Sequence, residues 1–310
     1  MNSLEMVYQY LIEKNIKVKR NILLASLTTL HIGGPAKLLV EVSKVKDIKD
    51  TITVCQKYAV PFYVLGRGSN VLALDEGFHG VILHIANLFS SITKIDDTLV
   101  KAKSGALLKA VSNFCIKEHL GNFEFACGIP GSVGGAIIMN AGAYDGEMKD
   151  IVKEVTFLNE KLEVVTFTNE ELDFSYRHSY FSSHFGIVLE VIYDLVPRNK
   201  DLIKEKVKDL MNRRYAMQPM DKYSAGSTFQ RPLGNHASKL IFEAGLAGKR
   251  IGDACVSNKH TGFLINEKDA SSQDFQTLIT YVQDKVKQQS GYELECEIKF
   301  IMNEEPLKII

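Results

Sequence analysis

Two stretches of the chain place glycine where chemistry on an anion would need it. The first, Gly66-Arg67-Gly68-Ser69-Asn70, directly follows the apolar run Pro61-Phe62-Tyr63-Val64-Leu65. Glycine lets backbone N–H groups approach an anion closely, and Ser69 and Asn70 add side-chain donors, so the segment suits a phosphate. It is not the dinucleotide-binding fingerprint, because no third glycine follows and Val71 begins another strand-like run. The second stretch is Gly128-Ile129-Pro130-Gly131-Ser132-Val133-Gly134-Gly135, continued by Asn140-Ala141-Gly142-Ala143-Tyr144. So many glycines in an apolar segment suit backbone lying against a large flat ligand. Either stretch by itself reads equally well as plain turns. Gly245-Leu246-Ala247-Gly248-Lys249-Arg250 imitates a P-loop but lacks its spacing and its magnesium-binding Ser or Thr.

The ionisable candidates are scattered. Arg177 lies in an aromatic, polar stretch, Tyr176-Arg177-His178, and Ser227 follows Ser224-Ala225-Gly226. Glu297 ends the alternation Glu293, Glu295, Glu297. Read singly, these are a surface cation, a turn serine and a solvated strand face. Arg213, Arg214, Lys222 and Arg231 gather around the segment leading to Ser227, as a diphosphate site would need; a helix end also favours such basic residues. The histidines show no metal spacing, so no metal site is expected. Five cysteines, an odd number with no C-x-x-C pair, read as reduced, buried thiols of a cytosolic protein.

The elements that must carry these residues follow from periodicity. Residues 1–14 form an amphipathic helix with Leu4, Val7, Tyr8, Leu11 and Ile12 on one face. Residues 38–42 form a strand, and Ser43 caps a helix that buries Ile48, Ile52 and Cys55. The run 61–65 is then a buried strand ending in the first glycine loop. Ser104 caps a helix with Leu107, Leu108, Val111, Phe114 and Cys115 inward, and Gly121 sits past its end. Residues 152–196 read as several strands. Pro197-Arg198-Asn199-Lys200 marks a boundary, after which come a helix at 201–214, a helix at 272–289 and a strand at 294–301. The fold class is α+β in two parts, cut near residue 200.

Composition bounds the rest. The 310 residues, 45% hydrophobic, suit one large or two medium cores. Lys+Arg and Asp+Glu both number 37, which excludes the basic excess of a nucleic-acid binder. An anionic ligand must then be held by local cations and backbone donors. The N-terminus has no secretory pattern, and no uncharged run spans a bilayer.

Taken in order, these segments resemble the UDP-N-acetylenolpyruvoylglucosamine reductases. The resemblance rests on Ile32-Gly33-Gly34-Pro35-Ala36, the two glycine stretches, Tyr176-Arg177-His178-Ser179, Ser224-Ala225-Gly226-Ser227-Thr228-Phe229, Val256-Ser257-Asn258-Lys259-His260 and Leu294-Glu295-Cys296-Glu297-Ile298. Between Arg177 and Pro197 there is no room for the tyrosine-bearing insertion of the longer form, so the chain is similar to the shorter, type II form.

The resemblance implies an FAD-binding domain of the vanillyl-alcohol oxidase and p-cresol methylhydroxylase type over residues 1–200, with two α+β subdomains split near 105. It implies a substrate-binding domain over 201–310. FAD would be held without a covalent bond, by Gly66, Arg67, Gly68, Ser69, Asn70, Gly128, Pro130, Gly131, Ser132, Gly134, Gly135 and Asn140. NADPH would reduce the flavin and leave before a UDP-linked enolpyruvyl amino sugar binds in an overlapping place. Arg177, Ser227 and Glu297 match the catalytic positions. Tyr176, Arg214, Gln218, Lys222, Arg231 and His260 would face the substrate. The implied setting is a cytoplasmic, monomeric enzyme of peptidoglycan synthesis.

Two positions depart from the family pattern. Met217 stands where Arg-Arg-x-x-Lys-Gln-Pro has lysine, and Arg231 follows Phe229-Gln230 where Phe-Lys-Asn-Pro is usual. Lys222 or Arg231 is expected to supply the missing cation, or substrate binding is weaker. Two other readings stay open: an oxidase of this fold with covalent FAD, and a nucleotide-sugar-binding protein without turnover.

Overall fold

The computed structural model describes residues 2–303. Helix α1 (Ser3–Glu13) starts on Asn2, whose side chain accepts the Glu5 N–H, and it buries Val7 and Leu11. Met1, expected in this helix, lies outside the described residues.

The first layer contains β1 (Val18–Leu23), β2 (Pro35–Glu41), α2 (Val45–Lys57), β3 (Phe62–Leu65), β4 (Val71–Ala73) and β5 (Phe78–His84). Its sheet has the order β1-β2-β5-β3, with β2 and β3 parallel to β5. A parallel strand is covered on both faces, and β3 is accordingly buried throughout. The start of α2 differs from expectation. Ser43 does not cap it; the Asp47 carboxylate reaches back to the Ser43 and Lys44 N–H groups and to the Ser43 hydroxyl. Ile48, Ile52 and Cys55 face the core as the periodicity requires.

The second layer runs from β6 (Ile92–Lys94) and β7 (Leu99–Lys103) through α3 (Leu108–Lys117), β8 (Leu120–Gly121), α4 (Val133–Ile138), β9 (Gly142–Ala143) and β10 (Gly146–Glu147). It closes with β11 (Val152–Leu158), β12 (Val164–Thr168), β13 (Ile187–Asp194) and β14 (Val196–Pro197). The antiparallel sheet β12-β11-β13-β7-β6 takes in β6 and β7, ahead of the expected cut near 105, because β7 pairs with β13. Ser104 does not cap α3 either. The helix begins three residues after the expected cap's neighbour Gly105, at Leu108, and Ser104 Oγ stays buried without a hydrogen-bond partner.

The third layer comprises α5 (Lys200–Met217), β15 (Tyr223–Ser224), α6 (Ala237–Glu243), β16 (Arg250–Ile251), β17 (Ala254–Val256), β18 (Leu264–Asn266), α7 (Ser272–Ser290) and β19 (Lys299–Ile301). Asn199 caps α5 by accepting from Asp201 and Leu202, and α5 packs on α3 and the 124–126 turn of the second layer. Ser271 and Asp274 form a capping box on α7, and Gly291 ends it at φ +75°. The expected strand at 294–301 is shorter, because only residues 299–301 form a ladder. That ladder is parallel to β4, so residues 299–301 return to the first layer beside the first glycine loop. The third core also draws Leu30, Ile32 and Leu72 from the first layer, which locks the two together. No helix among the described residues is long and apolar enough to cross a membrane.

Candidate active site

The glycine segments meet although one follows β3 and the other enters α4. A Cβ on Gly66 would stand 2.4 Å from Ser132 Oγ, and Gly68 sits at φ +68°, where an added Cβ would stand 2.2 Å from the Leu27 carbonyl oxygen. Only glycine fits both the left-handed backbone and that approach. Together they wall a cavity of about 580 Å³, lined by Gly66, Arg67, Gly68, Ser69, Asn70, Gly131, Ser132 and Gly135. That volume falls in the range of small-molecule and cofactor sites, roughly 300–1,000 Å³.

Not every glycine-segment residue lines this space. Gly134 lines a smaller adjoining chamber with Ser104, Ile187 and Val188. Gly128 and Pro130 line neither, and Gly128 instead packs on Arg214, whose Cδ would lie 2.7 Å from an added Cβ. Asn140 is also outside the lining. Its buried amide donates to Glu147 and to the Ser175 carbonyl, and it accepts the Lys149 N–H, so it supports the turn that carries Arg177.

That turn is tight. Ser175 and His178 exchange backbone hydrogen bonds at 3.1 Å, leaving Tyr176 and Arg177 as its two central residues. Arg177 adopts φ +53°, an unfavourable region for a side chain with a Cβ, costing about 1–2 kcal/mol. The strained backbone aims the guanidinium into the cavity wall, where Nε donates to Glu297 Oε1 at 3.1 Å and Nη2 to the Gly142 carbonyl at 3.3 Å.

Glu297 comes from a segment held on two sides. Its N–H donates to the Thr228 carbonyl at 2.8 Å, and its carbonyl accepts from Asn70 at 3.2 Å. Gln230 N–H donates to the Glu295 carbonyl at 2.9 Å. Ser227 therefore stands next to the residue that holds Glu297, while Glu297 is tied to the first glycine loop. Burial pushes the Glu297 carboxyl above its ordinary value, and the opposing Arg177 and Lys299 charges do not reverse this. Of the alternating glutamates, Glu293 and Glu295 are exposed and Glu297 is buried.

Residues 36–168 match the family described as FAD binding domain, and residues 218–301 match the UDP-N-acetylenolpyruvoylglucosamine reductase C-terminal domain. A UDP-N-acetylenolpyruvoylglucosamine reductase of Clostridium botulinum (strain Alaska E43) is 42% identical over 288 residues, covering 93% of this chain and 94% of that protein. One from Clostridium perfringens (strain SM101) is 43% identical over 273 residues, 87% of this chain and 88% of its own length. The chain belongs to this reductase family. The crystal structure of UDP-N-acetylenolpyruvylglucosamine reductase from Thermus caldophilus superposes with a TM-score of 0.78 at 33% identity, covering 93% of this chain and all of that one. The α+β fold is thus an FAD-binding domain joined to the reductase C-terminal domain, and the protein is an oxidoreductase.

The residues fit a flavin dinucleotide. The cavity presents backbone at Gly66, Gly68 and Gly131; a Cβ at Gly68 would require the chain to move, and one at Gly66 would displace the Ser132 hydroxyl. The adjoining chamber is apolar except for Ser104 and Ser132, and the buried Ser104 hydroxyl has no protein partner, as a site for a polar ligand atom requires.

Three residues expected to face the substrate carry the same signature. Arg214 Nε, Gln218 Oε1 and His260 Nδ1 are buried without hydrogen-bond partners among the described residues. They are neighbours through the backbone. Gln218 N–H donates to the Arg214 carbonyl, and Lys259, beside His260, donates to the Tyr215 carbonyl at 2.6 Å. Tyr144 grips the same helix, its hydroxyl donating to the Leu210 carbonyl at 2.6 Å. Arg214 forms no ion pair among the described residues, and burial pulls its pKa down. A half-buried guanidinium without a carboxylate suits an anionic ligand. Burial likewise lowers the His260 pKa, favouring the neutral ring. Tyr176 accepts the Arg231 N–H at 3.2 Å, which brings the 231 loop to the Arg177 turn, with the Arg231 side chain exposed. Lys222 lies on an exposed turn near Cys255, with no hydrogen bond to this cluster.

The sequence reading missed Ser182, Ser183, His184, Phe185 and Lys299, all lining the cavity. Lys299 stands two residues beyond Glu297, at the first position of β19. The 182–185 stretch has no motif that would have marked it.

Proposed function

We propose that the chain reduces the enolpyruvyl double bond of UDP-N-acetylglucosamine enolpyruvate to give UDP-N-acetylmuramate, with NADPH as electron donor and FAD held non-covalently. The observation that carries this reading is the part-buried Arg177–Glu297 pair at 3.1 Å, whose arginine lines the cavity, with the Glu297 carboxyl pushed upward by burial. FAD, when bound, supplies the two-electron reduction of the substrate's β-carbon. Electron density then moves to the substrate carboxylate, giving an enolate-like species. Arg177 stands where a fixed cation can meet that charge without losing its own proton. Glu297 in its protonated form donates a hydrogen bond to the same group, and its raised pKa keeps that form available. Ser227 delivers the proton to the α-carbon. A serine hydroxyl is a weak acid, so this step needs a cation or a water relay to support its loss of a proton.

On this reading the first two layers hold the flavin through Gly66–Asn70 and the second glycine segment, and the third layer holds the sugar nucleotide. Arg214 and Arg231 are the cations for the diphosphate, with Tyr176, Gln218 and His260 placed for the remainder. Lys222 is the weaker candidate because it lies apart from this cluster. The enzyme acts as a monomer in the cytoplasm and supplies peptidoglycan synthesis.

The test begins with the visible spectrum of purified protein, then of the supernatant after acid precipitation. Flavin is expected in the supernatant. NADPH should bleach it anaerobically, and the enolpyruvyl sugar nucleotide should restore it with formation of UDP-N-acetylmuramate. Protein that takes up no FAD, or reduced flavin that the sugar nucleotide leaves reduced, would overturn the proposal. Flavin retained in the pellet would favour the covalent oxidase.

A further inference from the structure

We infer that Thr29 is a positioning residue, fixing the Ser227 loop against the first glycine loop and thereby setting where the proton donor stands. The inference rests on the proposed role of Ser227.

Thr29 touches both loops at once. Its N–H donates to the Gly68 carbonyl at 3.0 Å, and its hydroxyl donates to the Ser224 carbonyl at 2.6 Å. The residues around it extend the contact. Asn266, buried, donates to the Leu30 carbonyl at 3.0 Å, and the His31 ring stacks on Tyr223 with centroids 3.9 Å apart and planes 20° apart. His31 is held at φ +56° while doing so. Residues 29–31 thus form a strap across β15 and β18, with Leu30 and Ile32 anchored in the third core.

The strap acts on Ser227 through a short turn. After Ser224 come Ala225 and Gly226, the latter at φ +76°, and then Ser227. Beyond the serine, Thr228 N–H donates to the Gly262 carbonyl at 2.9 Å and the Thr228 carbonyl accepts from Glu297. Ser227 is consequently suspended between two anchors. The Thr228 anchor belongs to the third layer and to Glu297; the Ser224 anchor reaches the loop assigned to the flavin phosphates. Loss of the Thr29 tie leaves Ser224 paired with Ile265 of β18 but unfastens it from the first layer, so the serine can shift with the third layer relative to a ligand held by the first. Proton delivery to carbon is sensitive to such shifts, since misplacement by about 1 Å can cost on the order of a hundredfold.

The test compares Thr29→Val, which keeps the shape and the backbone bond to Gly68 but lacks the hydroxyl, with Thr29→Ser, which keeps the hydroxyl. Holoenzyme is reduced anaerobically by NADPH and then reoxidised by UDP-N-acetylglucosamine enolpyruvate, and amide exchange is followed over residues 224–228. In Thr29→Val, reoxidation at saturating substrate is expected to slow by about tenfold. Flavin content and reduction by NADPH should stay unchanged, and exchange over 224–228 should quicken. Thr29→Ser should restore wild-type reoxidation and exchange. Reoxidation unaltered in Thr29→Val, both half-reactions slowed alike, or no rescue by serine would each overturn the inference. Wild-type reduced flavin that the sugar nucleotide does not reoxidise would overturn the functional proposal, and this inference with it.

Discussion

The glycine loops and Arg177, whose ion-pair partner is Glu297, border the same cavity and reach it by different physical routes. The loops present backbone: their function is to lack side chains, and each is continuous in sequence. The pair presents two ionisable groups 120 residues apart, one on a strained turn and one on a buried, irregular segment. The loops offer the cavity bare backbone beside a single cation, Arg67, whereas the pair sets a cation against a buried carboxyl, where binding by itself would not require it. A buried carboxyl held above its ordinary value beside a cation is a weak device for stability and a good one for handling a proton.

If the two regions are separable, mutations should split flavin binding from turnover. Arg177→Ala is expected to have the largest effect, lowering kcat/KM by about 10³-fold with flavin content unchanged. Measuring both on one preparation decides it. A parallel loss of flavin would mean that the pair also holds the cofactor, and the division between regions would fail.

Gly68→Ala should do the reverse. The new Cβ would stand 2.2 Å from the Leu27 carbonyl oxygen on a backbone at φ +68°, so the loop must move. The expected cost is about 2 kcal/mol, shared between stability and flavin affinity. Flavin titration of the stripped protein should show the weaker binding, and saturating FAD should recover most of the turnover. Unchanged affinity would show that the loop's backbone does not approach the ligand.

The same contrast explains what could be read from sequence. The glycine loops, the strand before Gly66 and the helices α1, α2, α5 and α7 follow local rules of periodicity and turn chemistry. Helix starts were less legible, as at α2 and α3, where the expected serine caps gave way to an Asp47 that reaches back and to a Ser104 left facing a chamber. The Arg177–Glu297 contact had no local signature. Glu297 looked like one of three solvated glutamates, and only packing against the 228 segment buries it. Its candidacy rests on family resemblance, not periodicity. The 182–185 lining was invisible for the same reason: a short polar stretch acquires meaning only from the cavity it borders.

Glu297→Gln sharpens the comparison through pH. The folded carboxyl has a pKa above its ordinary 4.5, so the native state binds this proton more tightly than the unfolded state does. Its contribution to stability is therefore whole below the ordinary value and is lost as pH rises through the raised one. Glutamine cannot ionise, so the variant should gain stability relative to wild type as pH rises across that window, while reoxidation by the sugar nucleotide is lost. Thermal unfolding of both proteins across the acid-to-neutral range reads the difference. A variant that loses stability relative to wild type as pH rises would mean that attraction to Arg177 outweighs burial, and Glu297 would then be better described as a structural ion-pair partner.

The smallest effect is expected at the outer edge of the substrate cluster. Met217 is 63% exposed at the last position of α5, one turn beyond Arg214 and so on the same side of the helix. Arg214 already offers a half-buried guanidinium without a carboxylate partner, and the 231 loop brings a second cation to the Arg177 turn. A lysine at 217 would add charge in solvent, where such an interaction contributes about 0.2–1 kcal/mol. Met217→Lys should therefore lower the KM for the sugar nucleotide by about twofold to fivefold without changing kcat, and salt should erase the gain. An unchanged KM at low salt would mean that the cations already present satisfy the diphosphate, making methionine at this position a neutral replacement. A fall in KM that survives high salt would point instead to a buried contact, and α5 would have to close further over the ligand than it does here.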